Sequence, residues 1–298
     1  MTAQTQASET CLIVNPAAGR GRAGRLGPRI ARELSLENEQ VAESSAPGNV
    51  QQLVKSFVNK GYIKVAVAGG DGTIFEAING LVQAGRVAAL GIVPVGTGND
   101  FIKAAGIPLA WRDACELVRS GRMRSVDIGR CNELYFANGV GIGLDAEIGH
   151  TAQGISWFRG PMVYLAAAFR TLAGGISAPE VSIAFDDGEL VQRVTLVAVS
   201  NGSCFGGLFH IAPDASISDG SLDLVIADHV TRVKALRLIP RVIRGEHLHD
   251  PAVRYLQTRK VKIHSDRALP VQIDGELIEG GLTDLDIEVL ASRIRLLC

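Results

Sequence analysis

Through the first 125 or so residues, short apolar runs alternate with stretches of helical pattern. Cys11–Asn15 (CLIVN) is apolar almost throughout, the pattern of a strand buried on both faces, and a loop and helix follow to about Leu36. A short strand is expected near Val41, then a helix from about Asn49, whose side chain is placed to cap it, to Asn59. Ile63–Ala68 (IKVAVA) reads as another buried strand, with a helix from Gly72 to Gln83. Leu90–Val93 (LGIV) repeats the pattern, with a helix opening near Asn99. Such alternation predicts a parallel sheet covered by helices, an α/β nucleotide-binding domain over residues 1–125.

After about Ser125 the pattern changes. Val181–Phe185, Val194–Ser200, Leu222–Ala227, Val261–His264, Val271–Asp274 and Leu285–Leu290 are short β-rich runs, many bounded by Gly, Asp or Asn. They predict an antiparallel β-sandwich over residues 126–290, with helices near 155–172 and 230–245. A last strand at about 291–298 (Arg293–Leu297) is expected to return to the first domain.

Composition narrows the function. The 298 residues are 47% hydrophobic and 20% charged, enough for two cores. Thirty Lys and Arg against 31 Asp and Glu leave no global field for wrapping nucleic acid, so no nucleic-acid partner is expected. The five cysteines are scattered, with no C-x-x-C pair, which points away from zinc and disulfides and towards a reducing cytosol. Met1–Thr10 lacks the basic and apolar regions of a signal peptide, and the apolar stretch Met162–Phe169 is too short to span a bilayer. A soluble, cytoplasmic protein is the expectation.

Ligands of an open α/β sheet sit beyond the carboxyl ends of its strands, and three polar or glycine-rich loops fall there. They are Asn15–Gly21 (NPAAGRG), Gly69–Thr73 (GGDGT) and Pro94–Phe101 (PVGTGNDF). Glycines let backbone N–H groups approach phosphate oxygens, and a following helix points its positive end at them. One such turn is as often a tight connection. Two in register, each with an Asp and a Thr, favour a polyphosphate cradle. There is no G-x-x-x-x-G-K-[ST], so the loop is not a Walker A site. The stretch Gly19–Gly24 fits G-x-G-x-x-G with Glu43 downstream, but its Asn-Pro opening and its arginines disfavour a dinucleotide fingerprint.

GGDGT followed by PVGTGNDF resembles the catalytic domain of diacylglycerol kinases, sphingosine kinases and related bacterial lipid kinases. GGDGT alone is shared with NAD kinases and, loosely, phosphofructokinases; GTGNDF favours the lipid kinases. The resemblance extends to CLIVNPAAG, to Phe136–Ile148 (FANGVGIGLDAEI), to Asn201–Ile226 and to Val271–Glu276 (VQIDGE), all in the family's order. Phe205-Gly206-Gly207-Leu208 departs from the fuller glycine run of relatives, and Ser44 stands where relatives often place a Thr.

The resemblance implies an ATP-dependent lipid kinase acting on a primary hydroxyl, as in diacylglycerol, with ATP and Mg²⁺ as cofactors. It implies that Asn15, Gly69, Gly70, Asp71, Gly72 and Thr73 bind nucleotide phosphates and their metal. Gly96, Thr97, Gly98 and Asp100 complete the pocket, with Ser44 at its edge. A structural Mg²⁺ is implied at Asp219 with the carbonyls of Ser216 and Ser221, although Asp219-Gly220 alone reads as a hairpin turn. Glu276 is implied as general base, with Asp71 the other catalytic candidate; Asp127 is a further candidate for the acidic network. A second D-G-E, Asp187-Gly188-Glu189, shows how readily this tripeptide marks a plain turn. An NAD kinase and a non-catalytic nucleotide-binding regulator are the alternatives.

Lipid access is less legible. Lys234, Arg237, Arg241 and Arg244 share one face of a helix kinked at Pro240, with Val233, Leu236, Ile239 and Ile243 on the other side. A solvated surface helix is the first reading, and transient contact with the inner membrane face the second. Trp157 and Phe158 read as core residues before acyl-chain contacts. A homodimer is compatible with the sequence.

Overall fold

The computed structural model describes residues 9–155, 157–158 and 160–298. The chain divides into two compact units, one of residues up to Val126 with Arg293–Cys298, the other Asp127–Ser292.

The first unit runs β1 (Thr10–Val14), α1 (Ala18–Glu33), β2 (Val41–Glu43), α2 (Asn49–Asn59), β3 (Lys64–Gly69), α3 (Asp71–Ala84), β4 (Ala89–Pro94), α4 (Asp100–Ala104) and α5 (Trp111–Ser120). Its strands pair in parallel in the order β2-β1-β3-β4, and Arg295 and Leu296 add a further parallel strand beside Ala89 and Leu90 of β4. The apolar runs become strands because helices cover both faces: Cys11–Val14 and Val65–Ala68 are fully buried. Ile30 of α1 and Val118 of α5 pack with Leu12, Ala66, Val93 and Leu297 in one core. Gly85 and Gly121, both in the left-handed region, stop α3 and α5.

Asn49 does not cap α2. The cap position is Gly48, and Asn49 Oδ1 instead accepts the N–H and hydroxyl of Ser45. Glu76 of α3 takes the cap's role, accepting the N–H groups of Gly48 and Val50 at 2.9 Å. A carboxylate arriving from a neighbouring helix wins over a local amide because it also meets the helix dipole.

β5 (Met123–Cys131) leads into the second unit: β6 (Leu134–Phe136), β7 (Gly139–Gly143), α6 (Leu144–Gln153), α7 (Pro161–Gly174), β8 (Glu180–Phe185), β9 (Gly188–Ser200), β10 (Leu222–Asp228), α8 (Arg232–Arg244), β11 (Val253–Thr258), β12 (Lys260–Leu269), β13 (Val271–Ile273), β14 (Glu276–Leu277) and β15 (Leu282–Leu297). Here the pairing is antiparallel. The long β9 serves two sheets: Gly188–Arg193 pairs with β8, and Leu196–Ser200 pairs with β7 and β10. A strand that changes sheets is one way to close a β-sandwich corner. Helix α6 was not expected, because its glycine-rich approach Gly139–Gly143 masks the helical start.

Candidate active site

In the first unit, the three loops at Asn15, Gly69 and Pro94 and the loop after β2 that carries Ser44 all leave the carboxyl edge of the parallel sheet. Val14 pairs with Glu43 and Ala68, and Gly69 with Pro94, so the residues that follow these strands are neighbours. The Gly69 carbonyl accepts the N–H groups of both Val95 and Gly96 at 3.0 Å, and Gly70 and Gly96 then meet backbone to backbone. Gly19 lies against the Val95 carbonyl, where a Cβ would come within 2.1 Å. Gly19, Arg20 and Gly21 are all left-handed, so the G-x-G-x-x-G stretch is a tight loop before the regular part of α1.

Asn15 joins two of these loops: its Nδ2 donates to the buried Thr73 hydroxyl at 3.0 Å, and its Oδ1 accepts the Ala17 N–H at 3.2 Å. Asp71 opens α3, and its Oδ1 accepts the Asp100 N–H at 3.0 Å. A Cβ on Gly98 would reach within 2.5 Å of the other carboxylate oxygen. Burial raises the Asp71 pKa, opposed by the N–H groups of Asp100, Phe101 and Asn99 and by Lys103. Asp100 is buried with Lys103 at 3.9 Å, while Thr97 is exposed at the loop tip. Gly72 lies in the first turn of α3. Ser44 is buried just past β2, its N–H bonded to the Val14 carbonyl at 2.9 Å. These loops offer glycine-lined backbone, the start of a 14-residue helix and one uncomfortable carboxylate, a combination suited to phosphate and a cation.

In the second unit, Glu276 directly follows a two-residue turn, Asp274-Gly275, whose residues are both left-handed (φ +50° and +88°). Glu276 itself is exposed. The Asp274 carboxylate accepts three backbone N–H groups, from Ala137 at 2.7 Å and from Asn138 and Gly139 at 2.8 Å. Sequence reasoning passed over Asp274 and Asn138; the clue available was that Asp-Gly favours a turn with two left-handed residues. The other D-G-E sits in a different frame. Its turn is Asp186-Asp187, and Gly188 already pairs with Phe185.

The Asp127 carboxylate is not free for the expected acidic network around a metal. It is buried in the second unit, and both carboxylate oxygens are committed to backbone, one to the Gly220 N–H at 2.7 Å and one to the Ser292 N–H at 2.6 Å. Its role is to hold the loop that carries Asp219. Asp219 is exposed and accepts the Ser221 N–H at 3.0 Å and, at 3.4 Å, the Gln257 amide. Nearby Asp223 is fully buried, bonded to the Tyr255 hydroxyl through one oxygen and without a partner at the other. Burial raises its pKa, and Asp219 and Asp214 add to the rise. Hard oxygen donors with surplus negative charge fit Mg²⁺ in kind. Among the described residues no three His, Cys, Asp or Glu side chains converge as a metal shell. An ion at Asp219 would therefore draw its other oxygens from carbonyls such as those of Ser216 and Ser221, and from water.

The second unit also contains a small, partly open apolar pocket, lined by Leu144, Ile148, Leu172, Phe209, Leu238 and Val242 among others. Its ionisable lining groups are Asp145 and His247. Burial pushes Asp145 up to about 6, opposed by its hydrogen bond from Gln272. Burial lowers the His247 pKa, which keeps the ring neutral with Nε2 donating to the Ile211 carbonyl at 3.0 Å.

Helix α8 covers this pocket with Ala235, Leu238, Ile239 and Val242; of the apolar face expected from sequence, Ile239 and Ile243 pack inward, while Val233 and Leu236 are 59% and 40% exposed. Lys234 and Arg241 bind Asp250 at 2.8 and 3.2 Å, and Arg244 binds Glu246 at 2.9 Å. Trp157 and Phe158 are not core residues, being 81% and 46% exposed. Among the described residues no helix is long and apolar enough to cross a membrane.

Comparison with known proteins follows this division. Residues 9–131 match the diacylglycerol kinase catalytic domain, and residues 138–298 match the YegS C-terminal NAD kinase beta sandwich-like domain. A diacylglycerol kinase of Bacillus subtilis is 30% identical over 270 residues, covering 89% of this chain and 88% of that protein. One from Mycobacterium tuberculosis is 29% identical over 272 residues, covering 89% and 87%. The crystal structure of a diacylglycerol kinase from Bacillus anthracis shares the fold, with a TM-score of 0.74 at 24% identity over 99% of this chain and 98% of that one. With both units matched and a curated relative aligned along most of its length, the chain belongs to the diacylglycerol kinase family.

Proposed function

We propose that this chain is an ATP-dependent lipid kinase that phosphorylates a primary hydroxyl of a lipid such as diacylglycerol. The observation that carries the lipid half of the reading is the apolar pocket of the second unit, which offers hydrocarbon walls to an acyl chain and a carboxylate–amide pair, Asp145 and Gln272, near polar chemistry. The kinase half rests on the family and on the glycine loops of the first unit. Backbone N–H groups around Gly69–Thr73 and Gly96–Gly98 hold the phosphates, Asn15 and Thr73 fix the shape of that cradle, and Ser44 lies at its edge. Mg²⁺, when bound, neutralises phosphate charge; Asp71 and Asp100 are the carboxylates for it at the nucleotide, and Asp219 with Ser216 and Ser221 for a structural ion. Glu276 accepts the proton of the attacking hydroxyl, since phosphoryl transfer asks chiefly for positioning, charge neutralisation and one such acceptor. The enzyme works in the cytoplasm with transient contact at the membrane surface.

The test is a radiolabelled-ATP screen in mixed micelles against diacylglycerol, monoacylglycerol, a sphingoid base and a polyprenol, with NAD as the control acceptor. Label transfer to one of the lipids and not to NAD is expected, reduced when Ala235→Phe fills the pocket. Transfer to NAD alone, or to no acceptor, overturns the reading.

A further inference from the structure

One side chain joins the apolar pocket to the hairpin that presents Glu276. Gln272 is buried on β13, opposite Gly141 of β7 and Leu277 of β14. Its Nε2 donates to Asp145 Oδ2 at 2.7 Å, and its Oε1 accepts the Gly275 N–H at 2.6 Å. An amide head suits both neighbours, donating to one and accepting from the other, whereas a carboxylate would repel an ionised Asp145 and an ammonium could not serve Gly275. The approach is close enough to dictate the facing residue. A Cβ on Gly141 would stand 1.7 Å from Asp145 Oδ2 and 2.6 Å from Gln272 Nε2.

The turn has two anchors. Asp274 is tied to the chain at 137–139 by the three N–H bonds already described, and Gly275 is tied to Gln272. Without the second anchor the left-handed Gly275 would gain freedom beside Glu276, because glycine populates many backbone states. We propose that Gln272 is a positioning residue for Glu276: by bridging Asp145 and the Gly275 N–H, it sets where the hairpin holds the Glu276 carboxylate. This rests on Glu276 being the proton acceptor of the proposed reaction.

The experiment measures kcat and KM for ATP of the full chain on the lipid that turns over fastest in the screen. The variants are Gln272→Leu, Asp145→Leu and Asp145→Asn, with Gln272→Leu also made in a Glu276→Gln background. Gln272→Leu and Asp145→Leu are expected to lower kcat about tenfold with KM for ATP within about twofold, as displacing a reacting group does. Asp145→Asn, which still accepts from Nε2, retains several-fold more kcat than Asp145→Leu. In the Glu276→Gln background Gln272→Leu costs nothing further, because the group it positions is gone. A wild-type kcat for Gln272→Leu, or the same fold-loss in both backgrounds, overturns the proposal. Should Gln272→Leu fail to fold, equal kcat in the two Asp145 variants overturns it. Full activity of Glu276→Gln alone removes the general-base reading itself, a result distinct from any of these.

Discussion

Gly70 and Gly96 belong to loops on neighbouring strands, and a Cβ on Gly96 would stand 2.4 Å from the Gly70 Cα. No side-chain rotation relieves such a contact, since both partners are backbone. Gly96→Ala is therefore expected to push the two loops apart and weaken ATP binding by at least about tenfold, with a modest loss of stability of roughly 1–3 kcal/mol. Titration calorimetry beside a thermal melt separates the two effects. Unchanged ATP affinity in a folded Gly96→Ala protein removes these loops from the nucleotide site.

Glu276 and Glu189 each follow Asp-Gly, and both are exposed. Glu276→Gln is expected to lower kcat on the order of a hundredfold with little change in ATP affinity, the range for loss of a general base. Glu189→Gln, in the strand after a plain Asp186-Asp187 turn, should match wild type. Sensitivity at Glu189 instead would mean that the general base had been assigned to the wrong hairpin.

These two tripeptides show where sequence stops being informative. The buried strands at Cys11, Val65 and Leu90 were legible because burial on both faces demands an unbroken apolar run, and the glycine loops were legible from their place after those runs. The two D-G-E frames were not, because which residues occupy a turn depends on the register of the partner strand. Local chemistry also misled at Asn49, where Glu76 arrives from another helix, and at Asp127, whose partners Gly220 and Ser292 lie far along the chain. On α8 the helical period was readable, but which arc faces inward was settled by the pocket it covers. Trp157 and Phe158 look like core from composition alone, yet stand in solvent.

Asp145 carries a pH signature. Its folded pKa of about 6 lies above the ordinary 3.8, so between those values the folded state holds more protons than the unfolded chain. Stability should then fall as pH rises from about 4 to about 6 and stay level above that. Asp145→Asn removes the cost of the buried charge and should raise stability at pH 7.5 by on the order of 1–3 kcal/mol while flattening this limb. Urea melts from pH 4 to 7.5 read both effects. An identical slope in the variant would assign the limb to other groups.

Membrane contact through α8 cannot draw equally on Lys234, Arg237, Arg241 and Arg244, because Lys234 and Arg241 already neutralise Asp250 and Arg244 pairs with Glu246. Arg237 and the 81% exposed Trp157 are the better probes. Arg237→Glu is expected to weaken binding to anionic vesicles in low salt, an effect that fades towards about 1 M salt. Trp157→Glu should weaken it at all salt concentrations, since its contribution is apolar. Vesicle sedimentation that treats both variants as wild type assigns α8 to solvent. Arg241→Glu should instead destabilise the fold by leaving Asp250 beside a like charge.

The last strand has a consequence for how the protein is made. Residues 293–298 belong to the first unit, where Arg295 and Leu296 lie beside β4, yet they leave the ribosome only after the whole second unit. Until then β4 presents an unpaired edge, the kind of surface that recruits stray strands. The first unit's sheet is thus begun before the second unit is synthesised and finished only after it. A nascent chain arrested anywhere in the second unit carries a first sheet still lacking its closing strand, open to aggregation and to proteases.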